Sequence, residues 1–257
     1  MDRLRVADRC DADDLPAALP IPRRDLPPML TDLEREALGL SLQVAAWATL
    51  LCLPPAIGVA WLLSRSRLPG KALLEALVHA PLVLPPVVVG YLLLITLGTR
   101  APLGRWLHQQ FDIQLIFTTE GAVVAAAVMA FPLMVRAIRL SLEAVDRGLE
   151  VAARTLGAGR WDAFATVTLP LMLPGILSGC MMAFAASLGE FGATITFASN
   201  VEGETRTLPL AIYTATQTPD GDALALRLVA LSMALALGAL VLSGLLERRT
   251  RRWLGRA

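Results

Sequence analysis

The side chains able to do chemistry are few and scattered. His79 and His108 are isolated, and Cys10, Cys52 and Cys180 have no metal-ligand spacing, so no metal site is expected. Cys52 and Cys180 fall inside apolar segments and read as small core residues, with no disulfide framework implied. No Gly-x-x-x-x-Gly-Lys-Ser/Thr loop cradles phosphate. A membrane-embedded enzyme would need His, Asp or Glu clustered at one depth, and the apolar blocks hold almost no acids. Neither catalytic residues nor a cofactor are expected. The spacing that does carry information lies in one polar connection, Leu149-Glu150-Val151-Ala152-Ala153-Arg154-Thr155-Leu156-Gly157-Ala158-Gly159-Arg160-Trp161, closing on Val167-Thr168-Leu169-Pro170. Its first part predicts a short helix that stops at glycine, since Gly157 and Gly159 suit a helix C-terminus. Such a helix either lays a face in a groove on a soluble partner or rests on a bilayer surface.

The elements that position this connection are apolar. Of the 257 residues, 55% are hydrophobic, against about 45–50% for an ordinary soluble domain. The excess is concentrated in five blocks, at 38–63, 80–98, 121–135, 169–189 and 228–246. Blocks of this kind match the roughly 18 or more uncharged residues that cross a bilayer. The third is short, but its helix can continue past Arg136 and Arg139, whose stems snorkel to the interface. A soluble bundle would show charged faces, and a β-barrel would alternate; these blocks do neither. The expected fold is an all-α, polytopic bundle of about five transmembrane helices with a cytoplasmic helix in the third connection. A net charge of +1 gives a nucleic-acid partner no support.

Charge asymmetry orients the bundle. Arg65, Arg67 and Lys71 lie in the first connection, and Arg136, Arg139, Arg147, Arg154 and Arg160 in or beside the third. Arg248, Arg249, Arg251, Arg252 and Arg256 lie in the tail. Only Arg100, Arg105, Arg206 and Arg227 lie in the other two connections. Thirteen against four places the first and third connections and the C-terminus in the cytoplasm and the N-terminus outside. Residues 1–28 are polar and proline-rich, with no signal-peptide pattern. They are expected to be a disordered extension, or sequence upstream of a true start at Met29. Residues 29–250 form the membrane domain and 251–257 a basic tail.

Helix breakers fill the spans: Pro54, Pro55, Pro81, Pro85, Pro86, Pro132 and Pro174. Each frees a carbonyl, which either adjusts helix shape or marks a face toward other helices or a water-filled path. Gly175, Gly179 and Ala183 recur every fourth residue and permit close helix packing, within the subunit or across a dimer.

The third connection resembles the Glu-Ala-Ala loop of ATP-binding-cassette importer permeases. Ala152 and Ala153 are separated from Gly157 by three residues, and nine residues then lead to Val167, Leu169 and Pro170. Glu150 lies one place early, with Val151 where the family glutamate sits. Leu188-Gly189-Glu190-Phe191-Gly192-Ala193-Thr194 resembles the signature of molybdate, tungstate and sulfate permeases. Met29-Leu30-Thr31-Asp32, the stretch from Pro81 to Tyr91, that from Phe131 to Arg139, and Gly203-Glu204-Thr205-Arg206-Thr207 resemble the molybdate branch. One departure is Ala186, where many relatives carry arginine. The resemblance implies a homodimer in the lipid bilayer of the bacterial inner membrane, a cytoplasmic ATPase dimer that hydrolyses the nucleotide, and a periplasmic oxyanion-binding protein. It implies a coupling loop of Glu150, Ala152, Ala153, Gly157, Leu169 and Pro170. It also implies a gate or oxyanion path near Gly189, Glu190, Phe191, Gly192, Pro85 and Pro86. Glu190 reads equally as a structural hydrogen-bonding group, and Arg136 and Arg139 either meet an exiting anion or are ordinary positive-inside charge. Tungstate or sulfate/thiosulfate are the alternative cargoes. A non-transporting scaffold would explain the spans but not the spaced loop.

Overall fold

The computed structural model describes residues 30–65 and 69–253. The 1–28 segment, Met29, Arg67 and Arg256 lie outside the described residues, as do the side chains of Arg248, Arg249, Arg251 and Arg252. The described residues form helices and no strands. α1 (Asp32–Arg65) has 34 residues. At 1.5 Å per residue it is about 51 Å long, against a hydrocarbon core of about 30 Å. Its start is a reciprocal cap: the Thr31 N–H donates to Glu34 Oε2 at 2.7 Å, and the Glu34 N–H to Thr31 Oγ1 at 3.4 Å. Glu34 is fully buried and accepts from Arg227 at 2.9 Å.

The second apolar block is not one straight span. α2 (Lys71–Val83) and α3 (Pro86–Leu97) are bent by 116° from one to the next. The cause is local: Leu84 is extended (φ −72°, ψ 142°), as a residue before proline prefers, and Pro86 opens α3. The 13 residues of α2 reach only about 20 Å, short of the core thickness. Among the described residues, four helices are long and apolar enough to cross a membrane, and five spans result if the bent pair is one. α4 (Pro102–Phe111) follows in the connection, and α5 (Thr119–Glu143) continues well past Arg136 and Arg139.

α6 (Arg147–Thr155) is the short helix of the third connection. The stretch before Leu169, expected as loop, is helical: α7 (Arg160–Ala163) passes through a π-helical turn at Phe164–Thr168 into α8 (Leu169–Leu188). Then come α9 (Gly192–Phe197), α10 (Leu208–Thr216) and α11 (Asp222–Trp253). α1, α5 and α8 pack together as the core. On α1, Ala48, Cys52, Ala56 and Ala60 recur every fourth residue; on α5, so do Ala122, Ala126, Ala130, Met134, Ile138 and Leu142. Small residues let the axes approach closely, a packing suited to helices that gain no hydrophobic drive from each other in lipid. Pro54 and Pro55 sit on the exposed side of α1, whereas Pro132 is buried in α5. Cβ atoms built on Gly175 and Gly179 would press against Ser141 and Met134 of α5, so these glycines and buried Ala183 face a neighbour within the chain.

Candidate coupling and gate sites

α6 is set by its ends. Asp146 caps it, accepting from the Gly148 N–H at 2.8 Å. Gly157 terminates it in the left-handed region, φ 96°, where a side chain is strained. No residue of α6 is buried. At 100° per residue, Arg147, Glu150, Val151 and Arg154 share one face, and Leu149, Ala152, Ala153 and Leu156 the opposite one. Leu156 is 89% exposed and the neighbouring Trp161 85%.

Glu150 reaches inward. Its Oε1 accepts from Arg65 at 2.9 Å and from the buried Thr168 hydroxyl at 2.7 Å. The pair joins α6 to the end of α1 and to the turn leading into α8. Val151, at the family's glutamate position, is exposed instead. Leu169 and Pro170 open α8, directly after the buried end of this tie. Thus Glu150, Thr168 and Leu169 are brought together, while Ala152, Ala153 and Gly157 lie on the outer edge. Arg65 and Thr168 were not legible as partners. Arg65 is 85 positions away from Glu150, and no local pattern links them.

The second region is where α3 meets α9. Gly192 approaches Pro86 so closely that a Cβ would lie 2.7 Å from the Pro86 Cβ. Two stretches read separately in the sequence, Pro85-Pro86 and Gly189 to Gly192, therefore form one junction; Pro85 itself is exposed. Glu190 Oε1 accepts from the Ala193 N–H at 2.7 Å. Burial pushes the Glu190 carboxyl above its ordinary range, opposed by backbone N–H groups of Ala193, Phe191, Gly192 and Thr194. Phe191 packs on Tyr213 of α10, ring centres 5.3 Å apart.

A third feature lies between α2 and α5. Arg139 Nη1 donates to Glu75 at 2.6 Å, and its Nε to Glu143 at 2.8 Å. Beside it, Glu75, His79, Arg136, Arg139 and Glu143 line an open groove of about 770 Å³. Arg136 is exposed there. Glu75 escaped notice because the second span was expected to begin at residue 80. No group of three or more His, Cys, Asp or Glu among the described residues could hold a metal ion.

Comparison with known proteins places this architecture. The family of binding-protein-dependent transport system inner membrane components matches residues 54–252. The molybdenum transport system permease protein ModB of Escherichia coli is 59% identical over 228 residues, covering 89% of this chain and 100% of that protein. ModB of Haemophilus influenzae is 52% identical over 223 residues, covering 87% and 97%. Among solved structures, an inward-facing form of the MetNI methionine transporter superposes with a TM-score of 0.66 at 16% identity, covering 85% of this chain and 96% of that one. At that identity the superposition speaks for the fold alone. The chain is a multi-pass membrane protein and a transport subunit, and it belongs to the family of binding-protein-dependent transport system inner membrane components.

Proposed function

We propose that this chain is the permease subunit of a molybdate importer, working as a homodimer with two cytoplasmic ATPase subunits and a periplasmic oxyanion-binding protein. The observation that carries the reading is the 59% identity to a molybdenum permease along that relative's whole length. In this reading α6 is the coupling helix. Its Leu149, Ala152, Ala153 and Leu156 face meets the ATPase, and Glu150 transmits the motion through Arg65 to α1 and through Thr168 to α8. The α3–α9 junction, with Glu190, Phe191, Gly192 and Pro86, gates the outer end of the path. The Glu75–Arg139 tie holds α2 to α5 near the inner end, where Arg136 meets the departing anion. The N-terminus is periplasmic and the C-terminus cytoplasmic. An oxyanion conduit must release its cargo, which suits spans without deep fixed cations. The test is uptake by proteoliposomes holding the complex of permease, ATPase and binding protein. ATP-dependent molybdate uptake is expected, with tungstate competing and sulfate far weaker. Uptake of sulfate in preference to molybdate would assign the chain to the sulfate branch.

A further inference from the structure

A second groove, of about 330 Å³, lies where α1 ends against α6 and α7. Its wall holds four guanidinium groups, Arg65, Arg147, Arg154 and Arg160, against the single carboxylate of Glu150. Glu150 is engaged by Arg65. Neither Arg154 nor Arg160 has an ion-pair partner among the described residues. Arg65 keeps only 10% of its side chain exposed, yet its Nε has no hydrogen-bond partner. A buried guanidinium with an unused donor is costly unless an acceptor arrives. The groove therefore holds more donors than the protein itself satisfies.

The depth of the groove identifies the anion. Trp61 forms part of the wall, one turn before Arg65. Trp47, Leu51, Pro54, Gly58 and Trp61 share one side of α1, and Arg65 continues it at the helix end. The stripe is apolar up to a tryptophan and then turns cationic, the sequence of chemistries met on passing from acyl chains to headgroups. The face of α6 that lines this groove is opposite the Leu149, Ala152, Ala153 and Leu156 face, so the ATPase docking proposed above leaves it open.

We propose that this groove binds the phosphate of an anionic phospholipid headgroup, with Arg154 and Arg160 as the principal donors and the Arg65 Nε as an added one. Lipid bound there braces α6 against the end of α1, and so sets the angle α6 makes with the membrane surface. The proposal rests on the membrane placement of α1 and not on the cargo. A failed lipid test therefore leaves the molybdate reading untouched, and a failed uptake test leaves the lipid site untouched.

The test is native mass spectrometry on the full chain in detergent, titrated with dioleoylphosphatidylglycerol and, separately, dioleoylphosphatidylcholine. One phosphatidylglycerol per chain is expected to bind well ahead of phosphatidylcholine. Each surface guanidinium removed should weaken it about fivefold, so Arg154→Gln with Arg160→Gln should weaken it about twenty-fivefold. Arg154→Lys with Arg160→Lys should keep most of the affinity. Should the double glutamine variant fail to fold, Arg154→Gln alone with its fivefold loss is the readout. Equal binding of the two lipids, or unchanged phosphatidylglycerol affinity in the glutamine variant, overturns the proposal. Displacement of the lipid by glycerol phosphate at matched concentration assigns the groove to free phosphate and also overturns it. Loss of ATPase recruitment with unchanged lipid affinity assigns the groove to a protein partner and overturns it as well.

Discussion

Glu150 carries more structural consequence than its place in the sequence suggests. It stands one residue from the family's position, yet it is the carboxylate on α6 that turns inward to Arg65 and Thr168. Glu150→Ala leaves a nine-tenths buried guanidinium without its counter-ion, at a cost of about 1–3 kcal/mol. Glu150→Gln keeps an acceptor for both donors and should cost less. Thermal unfolding in detergent should therefore rank wild type above Gln and Gln above Ala; an Ala variant as stable as wild type would show the tie to be idle. Glu190 gives a pH-dependent prediction. Its carboxyl is raised by burial, so the folded chain holds the proton more tightly than the unfolded chain does. That contribution is complete below the unfolded carboxyl's range and is lost as pH rises through the folded one. Glu190→Gln cannot ionise, so its melting temperature should gain on wild type as pH rises from acid to neutral. A difference that stays constant with pH would mean the carboxylate is fully compensated by its backbone donors. The loop's glycine, alanines and proline were legible because their spacing is local. The partners of Glu150 were not, because they depend on how α1 and α8 pack.

At the scale of elements, the apolar blocks were legible since nothing but a membrane span explains uncharged runs of that length. The break between α2 and α3 was written in Pro85 and Pro86, but block length alone argued for a continuous span. α9 and α10 were missed because short helices packed on larger ones show neither span length nor a charged face. The buried Glu34–Arg227 pair was missed because each residue reads locally as a flanking charge. The close contact of α5 with α8 can be tested by a matched pair of substitutions. Gly175→Ala places a methyl against Ser141 and overpacks the contact, costing about 1–3 kcal/mol. Gly58 lies mid-helix on the open side of α1, with nothing within 4 Å of a built Cβ. Gly58→Ala should be neutral or stabilising by up to about 1 kcal/mol, through helix propensity alone. Melting temperatures in one detergent decide it: if both variants shift in the same direction, the α5–α8 contact is looser than this packing requires.

For the whole molecule, the charge asymmetry predicts which ends face the cytoplasm. A reporter fused after the tail should be cytoplasmic and one inserted at Gly203 external; a cytoplasmic Gly203 would overturn the orientation. That orientation decides whether α6 can reach an ATPase at all, and the coupling prediction follows from it. Ala153 is partly exposed, sits at the edge of the outer α6 face three residues on from Glu150, and makes none of the bonds that tie Glu150 to Arg65 and Thr168. Ala153→Asp adds bulk and an unpaired charge at the face expected to meet the ATPase. Overpacking costs about 1–3 kcal/mol, and desolvating the charge adds to it. Insertion should be unchanged, because the residue lies outside every span and outside the core, and the carboxylate placed three residues from Glu150 should lower the melting temperature only slightly. ATPase recruitment to membranes and ATP-driven uptake, measured at matched permease levels, should both fall. Normal recruitment and normal uptake would remove the coupling role from this face and leave α6 as a helix that rests on the bilayer. A fall in uptake with recruitment intact would point instead to Glu150, whose ties to α1 and α8 give a connected route from α6 into the bundle core.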